Sequence, residues 1–298
     1  MKTKLLISIL LLSPIILISQ NQVKKFKATS LSVMPFFVVG NSLAGNTTDF
    51  RKLAPNSKNI PLNLDEYQTS SYYDYRSSQS GSSIILGFKL RNNEGTDYKA
   101  NPVVRIGLSL QNSPNISING FKESRHPHDT ITHLVTGEKT PIDSISYSNI
   151  NMFYDSKQLN IDASLLFSSS SKYMFSFFAG VGISVGASVT SNTSISTYHD
   201  YYFQTKNNTD SYSNQYYNGL GYSSNNKTDL VYNKTNFSYA AYIPLGLDLR
   251  MSNRHLFWKQ VHLFYEMRPS LNILYIPETQ SYVSTRWVHG FGLKIQWN

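Results

Sequence analysis

One segment of the chain, YMFSFFAGVGISVGASV at residues 173–189, is apolar enough for a membrane helix but repeats every two residues. Its apolar row lies on the odd positions Tyr173, Phe175, Phe177, Ala179, Val181, Ile183, Val185, Ala187 and Val189. Its even positions are mostly Gly and Ser, except for Met174 and Phe178. Side chains of a β-strand alternate between two faces, whereas a helix repeats every 3.6 residues. The segment therefore predicts a strand with one apolar face, and we expect Met174 and Phe178 to fill part of the opposite side.

The same alternation recurs through the chain and predicts about eight strands, with ten possible. The predicted strands are residues 30–39, 82–92, 103–111, 158–168, 173–189, 237–251, 261–275 and 282–297. Pro35, Pro244 and Pro269 fall inside three of them, and proline cannot donate to a strand ladder. The later apolar rows run over about eight alternate positions, although a whole strand commonly has only 5 or 6 residues. This length favours strands that cross a membrane over those of a soluble β-sandwich.

The connections between these strands alternate between long and short. Three contain about 42, 46 and 47 residues rich in Ser, Asn or Tyr, far above common loop lengths, and three contain only about 10, 4 and 9. Long loops at one end and short turns at the other are typical of an outer-membrane barrel. The fold class expected from the sequence is therefore a transmembrane, antiparallel, up-and-down β-barrel with long extracellular loops and short periplasmic turns. Strands longer than a membrane requires should project on the loop side.

The N-terminus has the layout of a secretory signal peptide. Two lysines precede a mostly apolar run of about 14 residues that ends at a small residue, Ser19, and this run is too short to span a membrane. We therefore expect a signal peptide over residues 1–19, export, and one outer-membrane barrel domain over residues 20–298. The chain has no Cys, so disulfides and thiol chemistry are excluded. Its net charge of +9 is scattered along the strands, which argues against a nucleic-acid partner.

The last stretch, WVHGFGLKIQWN, carries an alternating row of four apolar side chains. The row is Phe291, Leu293, Ile295 and Trp297. It resembles the C-terminal signal by which the barrel-assembly machinery recognises its substrates, with the aromatic residue penultimate here. The segments FFAGVGISVG and YIPLGLDLRM resemble strands of the outer-membrane β-barrel families of the Bacteroidota, of the eight-stranded OmpA and OmpX size class. The resemblance implies residence in the cell outer membrane, with lipids and lipopolysaccharide around the barrel and the assembly machinery as a partner during insertion.

The polar faces of the predicted strands carry many charges. If these faces point inward, one narrow lumen contains Lys89, Arg91, Arg105, Asp162, Asp248, Arg250, Glu266, Arg268 and Arg286. An eight-stranded barrel is only wide enough for side chains to fill it, and an unpaired charge there would cost several kcal/mol. We therefore expect a paired network that plugs the barrel. The alternatives are a proton or solute path, or acid–base chemistry by Glu266 and Arg268 with His262.

No catalytic motif stands out, so the sequence predicts a protein that is not an enzyme and has no cofactor. His126, His128, Asp129 and His133 have metal-binding chemistry without a recognised spacing, and we expect them in an exposed loop. A narrow transport pore and a barrel-type lipid-modifying enzyme remain the alternative functions.

The third long loop is rich in tyrosine among small polar residues, a composition that suits recognition surfaces. Its candidate binding residues are Tyr198, Tyr201, Tyr202, Tyr212, Tyr216, Tyr217 and Tyr222. The same composition also suits hairpins that extend above the membrane. The function predicted from the sequence is therefore structural or a surface interaction, such as adhesion or ligand binding, and the sequence does not identify the surface ligand.

Overall fold

The computed structural model describes residues 26–40, 43–61, 64–69, 79–90, 101–112, 116–169, 174–205 and 223–297. The predicted signal peptide, Arg91, Tyr173, Tyr212, Tyr216, Tyr217 and Tyr222 lie outside the described residues. The elements are β1 (Phe26–Gly40), β2 (Leu43–Ala44), α1 (Thr47–Leu53), β3 (Gln68–Thr69), β4 (Gln79–Leu90), β5 (Val103–Asn112), β6 (Ile116–Thr132), β7 (Lys139–Ser168), β8 (Phe175–Thr205), β9 (Ser223–Tyr232), β10 (Phe237–Tyr242), β11 (Leu245–Arg250), β12 (Val261–Tyr275) and β13 (Ser281–Gln296).

The sheet contains a closed ring of eight antiparallel strands, in which β10 and β11 together count as one strand. The ring order is β1, β4, β5, β7, β8, β10 with β11, β12 and β13. The first and last strands pair with each other, from Ser30 opposite Gln296 to Gly40 opposite Arg286, and this pairing closes the ring. β10 and β11 occupy one position because Pro244 interrupts the ladder between them. The predicted eight-stranded, up-and-down barrel is confirmed.

The outer surface of the ring is a continuous apolar band. On β8, Phe177 is 66% exposed and Ile183 is 60% exposed, and the outward rows of the other ring strands continue this surface. A soluble monomer rarely exposes so large an apolar surface, whereas a barrel in a bilayer must present one to the lipid. The closed ladder also leaves no unpaired backbone edge within the membrane. The ring is thus a transmembrane barrel.

No helix among the described residues is long and apolar enough to cross a membrane.

Two strands extend far beyond the length that a membrane requires. β7 has 30 residues and β8 has 31, whereas a spanning strand needs about 9 to 11. Their extracellular halves pair with β6 on one side and with β9 on the other. The second and third predicted loops are therefore largely a four-stranded sheet, in the order β6, β7, β8 and β9, which we call the extracellular sheet.

Inner-wall glycines of β8 and β11 make room for aromatic side chains of the strand paired with each. A methyl group added at Gly182 would collide with the ring of Tyr242, and one added at Gly246 would collide with Phe178. The predicted role of Phe178 as an inward filler agrees with its packing against the buried apolar cluster around Met34. The same expectation for Met174 is wrong, because Met174 precedes β8 and is 43% exposed.

Candidate functional site

A fully buried carboxylate lies at the centre of the barrel between two guanidinium groups. Arg105 donates from Nη1 to Glu266 Oε2 at 2.6 Å and from Nη2 to Oε1 at 2.9 Å. Arg268 Nε donates to the same Oε1 at 2.5 Å. Charge-assisted, bidentate hydrogen bonds of this kind are stronger than neutral ones. They satisfy the hydrogen-bonding capacity of a carboxylate that is shielded from water. We call Arg105, Glu266 and Arg268 the central ion cluster.

Aromatic rings cover both cations of this cluster. The guanidinium carbon of Arg105 lies 5.8 Å from the ring centroid of Phe178, and that of Arg268 lies 5.2 Å from the ring of Tyr242. Cations at such distances are attracted to the negative face of a ring. Because these rings also occupy the space above the inner-wall glycines, the cluster and its rings fill the middle of the lumen.

The other predicted lumen charges are placed around this cluster. Asp162 accepts a hydrogen bond from Ser109 Oγ at 2.7 Å, and Arg286 is buried on β13. Lys89 and Arg250 line a cavity nearer the periplasmic end. Among the described residues, Asp248 belongs to a group separate from the central ion cluster.

That separate group joins three strands near the periplasmic end. The carboxylate of Asp248 on β11 binds the Nδ1 atom of His262 on β12 and the ammonium group of Lys294 on β13. His262 is therefore bonded to Asp248, and its proposed acid–base partnership with Glu266 and Arg268 is not supported by this geometry. Lys294 lies opposite His262 on the neighbouring strand, and β11 flanks β12 on its other side, so the register of three adjacent strands brings Lys294 to Asp248.

The extracellular mouth of the barrel is covered by a short helix and an apolar cluster. Asn46 caps the helix α1 by accepting a hydrogen bond from the Asp49 backbone N–H at 2.8 Å. Phe50 and Leu53 of α1 are buried in a cluster whose other members include Ile116, Ile118, Ile150, Met152, Tyr154, Ile195, Leu274 and Ile276. The sequence reasoning missed this plug, although the Asn46 cap before TTDFRKL is a helix-start signal.

The plug is also tied to the wall by hydrogen bonds. Asn233 donates from Nδ2 to the Leu53 carbonyl at 2.7 Å. Asn236 donates to Tyr154 Oη at 2.6 Å and accepts from Gln158 Nε2 at 2.9 Å. Burial raises the pKa of Tyr154, which lies above the lipid-facing band, to about 12. The lumen is therefore filled at its centre and covered at its outer end.

The predicted tyrosines that the structure describes lie on the distal half of β8. Tyr201 is 40% exposed and packs edge-on against Phe203, with ring centroids 5.2 Å apart. The ring centroid of Phe203 in turn lies 4.4 Å from that of His128 on β6. Tyr198 and Tyr202 lie on the opposite face of the strand from Tyr201. The extracellular sheet thus carries aromatic residues on both faces.

A cleft of about 390 Å³ opens between the extracellular sheet and the segment that follows α1. Its lining is Pro61, Glu66, Tyr67, Lys122, Ser124, Ser146 and Ser148, and we call it the serine cleft. Lys122 Nζ donates to Glu66 Oε2 at 2.5 Å across its mouth, and Ser148 Oγ lies 2.7 Å from His199 Nδ1 at its wall. The cleft therefore offers hydroxyl groups, one ion pair and one tyrosine ring on the extracellular side.

Within the part of the chain that the structure describes, no group of three or more His, Asp or Glu residues is placed to hold a metal ion. His126 and His128 lie on β6, in a hairpin with β7, and not in an open loop as the sequence suggested. Pairing with β7 places His126 opposite Ser144, and His128 lies at the register shift between Pro127 and Asp129 on this exposed strand.

Comparison with known proteins gives structural neighbours of low similarity. No family model and no curated protein matches the sequence. Two structures of Ail, the attachment invasion locus protein of Yersinia pestis, one in complex with the heparin analogue sucrose octasulfate, align at 10% identity with TM-scores of 0.27 and 0.25, covering 90% of this chain and 100% of theirs. Pseudomonas putida OprB aligns at 6% identity with a TM-score of 0.15, over 92% of this chain and 94% of that one. The class of the protein, a closed eight-stranded membrane barrel with an extracellular sheet, therefore rests on its own ring.

Proposed function

We propose that this protein is a non-enzymatic outer-membrane barrel that binds a ligand at the cell surface through its extracellular sheet. The observation that carries the proposal is the contrast between the two ends of the strands. The lumen is filled by the central ion cluster and covered by α1, while β7 and β8 continue outward into a polar sheet. A pore would instead need an open lumen through the barrel.

The chemistry of the serine cleft favours a carbohydrate as the ligand. Three serine hydroxyls, the Glu66 carboxylate and the Lys122 ammonium group can bond the hydroxyls of a sugar, and the Tyr67 ring offers a flat apolar surface. The volume of about 390 Å³ lies at the lower end of the range for ligand pockets. We therefore take one or two sugar units of a surface glycan to be the bound element.

Conductance in planar bilayers separates this function from transport. We expect the purified barrel to give no stepwise current, because the central ion cluster closes the lumen. Opening the mouth with Phe50→Ala should leave the current at zero, since the centre stays filled. Steps in the unaltered protein would favour the transport pore, and a change in the acylation of lipid A upon expression would favour a lipid-modifying enzyme.

A glycan array tests the binding surface directly. The barrel in nanodiscs should retain a defined set of glycans, and Tyr67→Ala should weaken that retention by about tenfold, because the stacking ring is lost. The matched control is Tyr232→Ala, which removes an exposed tyrosine of β9 that does not line the cleft. Equal loss in both variants, or no retention by the unaltered barrel, would contradict the proposal.

Export and assembly belong to the same proposal. We infer that residues 1–19 are removed during export and that the assembly machinery reads the terminal row of β13, which points outward from the barrel. Lipopolysaccharide and phospholipid then contact the apolar band. N-terminal sequencing of the mature protein should start near residue 20, and Phe291→Ala should slow the appearance of the heat-modifiable barrel.

A further inference from the structure

Arg286 is a buried cation on the inner wall of the barrel. It is only 6% exposed, whereas Trp287 beside it on β13 is 48% exposed on the lipid side. A methyl group added to Gly40 of the paired strand β1 would lie 3.1 Å from Arg286 Cγ. Because successive side chains of a strand point to opposite faces, the guanidinium group of Arg286 belongs to the lumen.

This guanidinium group has no partner within the part of the chain that the structure describes. Its Nε is buried without a hydrogen bond, and no described carboxylate lies within 4.0 Å of it. The two carboxylates of the middle lumen are bonded to other groups. Glu266 is held by the two arginines of the central ion cluster, and Asp162 accepts from Ser109. Because burial of an unpaired charge is strongly unfavourable, Arg286 requires a counter-ion from outside the chain.

A second donor without a partner lies on the opposite wall. Nδ2 of Asn160 on β7 is buried and makes no hydrogen bond to a described residue. β7 is the fourth strand from β13 in the ring of eight, so Asn160 and Arg286 lie on opposite sides of the lumen. Two unpartnered donors therefore point into the same narrow interior.

The register places both donors at the same depth. The row of paired residues that starts at Arg286 passes through all eight strands and returns to β13 at Gln296, ten residues nearer the periplasm. Half the ring therefore lowers a row by about five residues. The row that contains Asn160 starts on β13 at Tyr282, four residues above Arg286. Half a ring later, at Asn160, this row has come down to the depth of Arg286.

We propose that Arg286 and Asn160 hold one chloride ion between them inside the lumen. A charged guanidinium group and a side-chain amide both donate hydrogen bonds to an anion. The single positive charge calls for a monovalent anion. The space is small, because Tyr242 and the central ion cluster fill the lumen below it and the cluster under α1 covers it above. The ion would stabilise the closed barrel by neutralising Arg286.

Unfolding in chloride and in gluconate tests this site. Urea titrations of the barrel in a non-ionic detergent are run at constant ionic strength, with gluconate replaced stepwise by chloride, because gluconate is too large for the lumen. A ligand that binds only the folded state stabilises it in proportion to the logarithm of its concentration near saturation. A tenfold rise in chloride should then lower the unfolding equilibrium constant by about tenfold. Unfolding that does not respond to the exchange would overturn the proposal.

Three variants locate the ion. Arg286→Met should abolish the chloride dependence and should be at least as stable as the unaltered barrel in gluconate, because no charge is then buried. Asn160→Asp keeps Arg286 but places a carboxylate across from it, so it should also abolish the dependence. The matched control is Arg254→Met, which removes an exposed arginine between β11 and β12 and should keep the full dependence.

Equal chloride dependence in Arg286→Met and Arg254→Met would overturn the proposal, as would full dependence in Asn160→Asp. Heat-modifiable migration verifies that each variant is folded. In crystals of the barrel refolded in sodium bromide, we expect an anomalous peak between the side chains of Arg286 and Asn160. A bromide-refolded barrel without that peak would contradict the site.

Discussion

The two halves of β8 show how the surroundings of one strand select its side chains. Below Val189 the odd positions face outward and are apolar, as in Ile183, and the even positions face the lumen. Above Thr190 the odd positions face inward, as in Thr193 and Ile195, and the outward positions are mainly polar. Val189 is an extra residue opposite the step from Lys157 to Gln158, so a β-bulge separates the two halves.

This difference shows that one continuous strand is surrounded by lipid in its lower half and by water in its upper half. A bulge shifts the alternation by one residue, and bulges are common at the rims of barrels. In the lower half the lipid requires the apolar row outside. In the upper half water surrounds the sheet, so Ile195 turns inward and packs in the cluster beneath α1. The bulge therefore marks the boundary between the membrane part and the extracellular part.

The largest expected difference in stability between the membrane part and the extracellular part concerns their ion pairs. Glu266→Gln leaves Arg105 and Arg268 buried without their carboxylate, and we expect a loss of about 3–5 kcal/mol in the free energy of unfolding. Urea titration of the barrel in detergent micelles measures this loss. The control is Glu66→Gln, whose partner Lys122 is exposed, and it should leave the unfolding midpoint unchanged. Similar shifts in both variants would show that the two environments do not differ.

A charge placed on either half of β8 tests the boundary itself. Ile183→Arg puts a guanidinium into the lipid-facing band, and we expect a destabilisation of about 2–4 kcal/mol. Ser194→Arg lies on the outward face above the bulge, where water solvates the charge, and should cost far less. Unfolding titrations in lipid vesicles compare the two variants. If Ser194→Arg were as harmful as Ile183→Arg, the membrane boundary would have to lie above Ser194.

The smallest effect concerns pH and the extracellular plug. The pKa of Tyr154 is raised from 10.0 to about 12 mainly by burial, so the folded plug holds its proton more tightly than the unfolded chain does. Its contribution is complete below pH 10 and is lost as the pH rises to 12, by up to about 3 kcal/mol. We expect the plug to loosen in this range while the barrel stays closed.

A single dye label reports this loosening. The chain has no Cys, so Lys58→Cys gives one labelling site in the exposed segment after α1. The emission of an environment-sensitive dye at this site should change between pH 10 and 12 in the labelled protein that keeps Tyr154. Tyr154→Phe should remove most of this change, because the titrating hydroxyl is gone. An unchanged pH profile in Tyr154→Phe would assign the transition to another group.

The membrane part of the barrel was more predictable from the sequence than the extracellular part above it. Alternation identified the lipid-facing row of β8 and the strand count, because lipid on one side and a narrow lumen on the other impose a period of two. It also put Glu266, Arg105 and Asp248 on inward rows. It did not reveal that β6 and β9 extend the sheet, because water on the outward side imposes no apolar row there. Met174 was assigned inward because the pattern does not show where the strand begins.

The sequence by itself determined which row of a membrane-spanning strand faces lipid and which faces the lumen, because that choice follows local alternation, but it did not fix where a row begins, as Met174 shows. Only the tertiary structure decided which inward groups meet. Asp248 bonds to His262 and Lys294, and Glu266 bonds to Arg105 from the other side of the ring. The Asp248 group depends on the register of the adjacent strands β11, β12 and β13, whereas the bond from Glu266 to Arg105 joins strands that only the closed ring brings face to face. The extracellular plug has the same origin, because α1 is stabilised by packing on a mouth that exists only in the closed barrel.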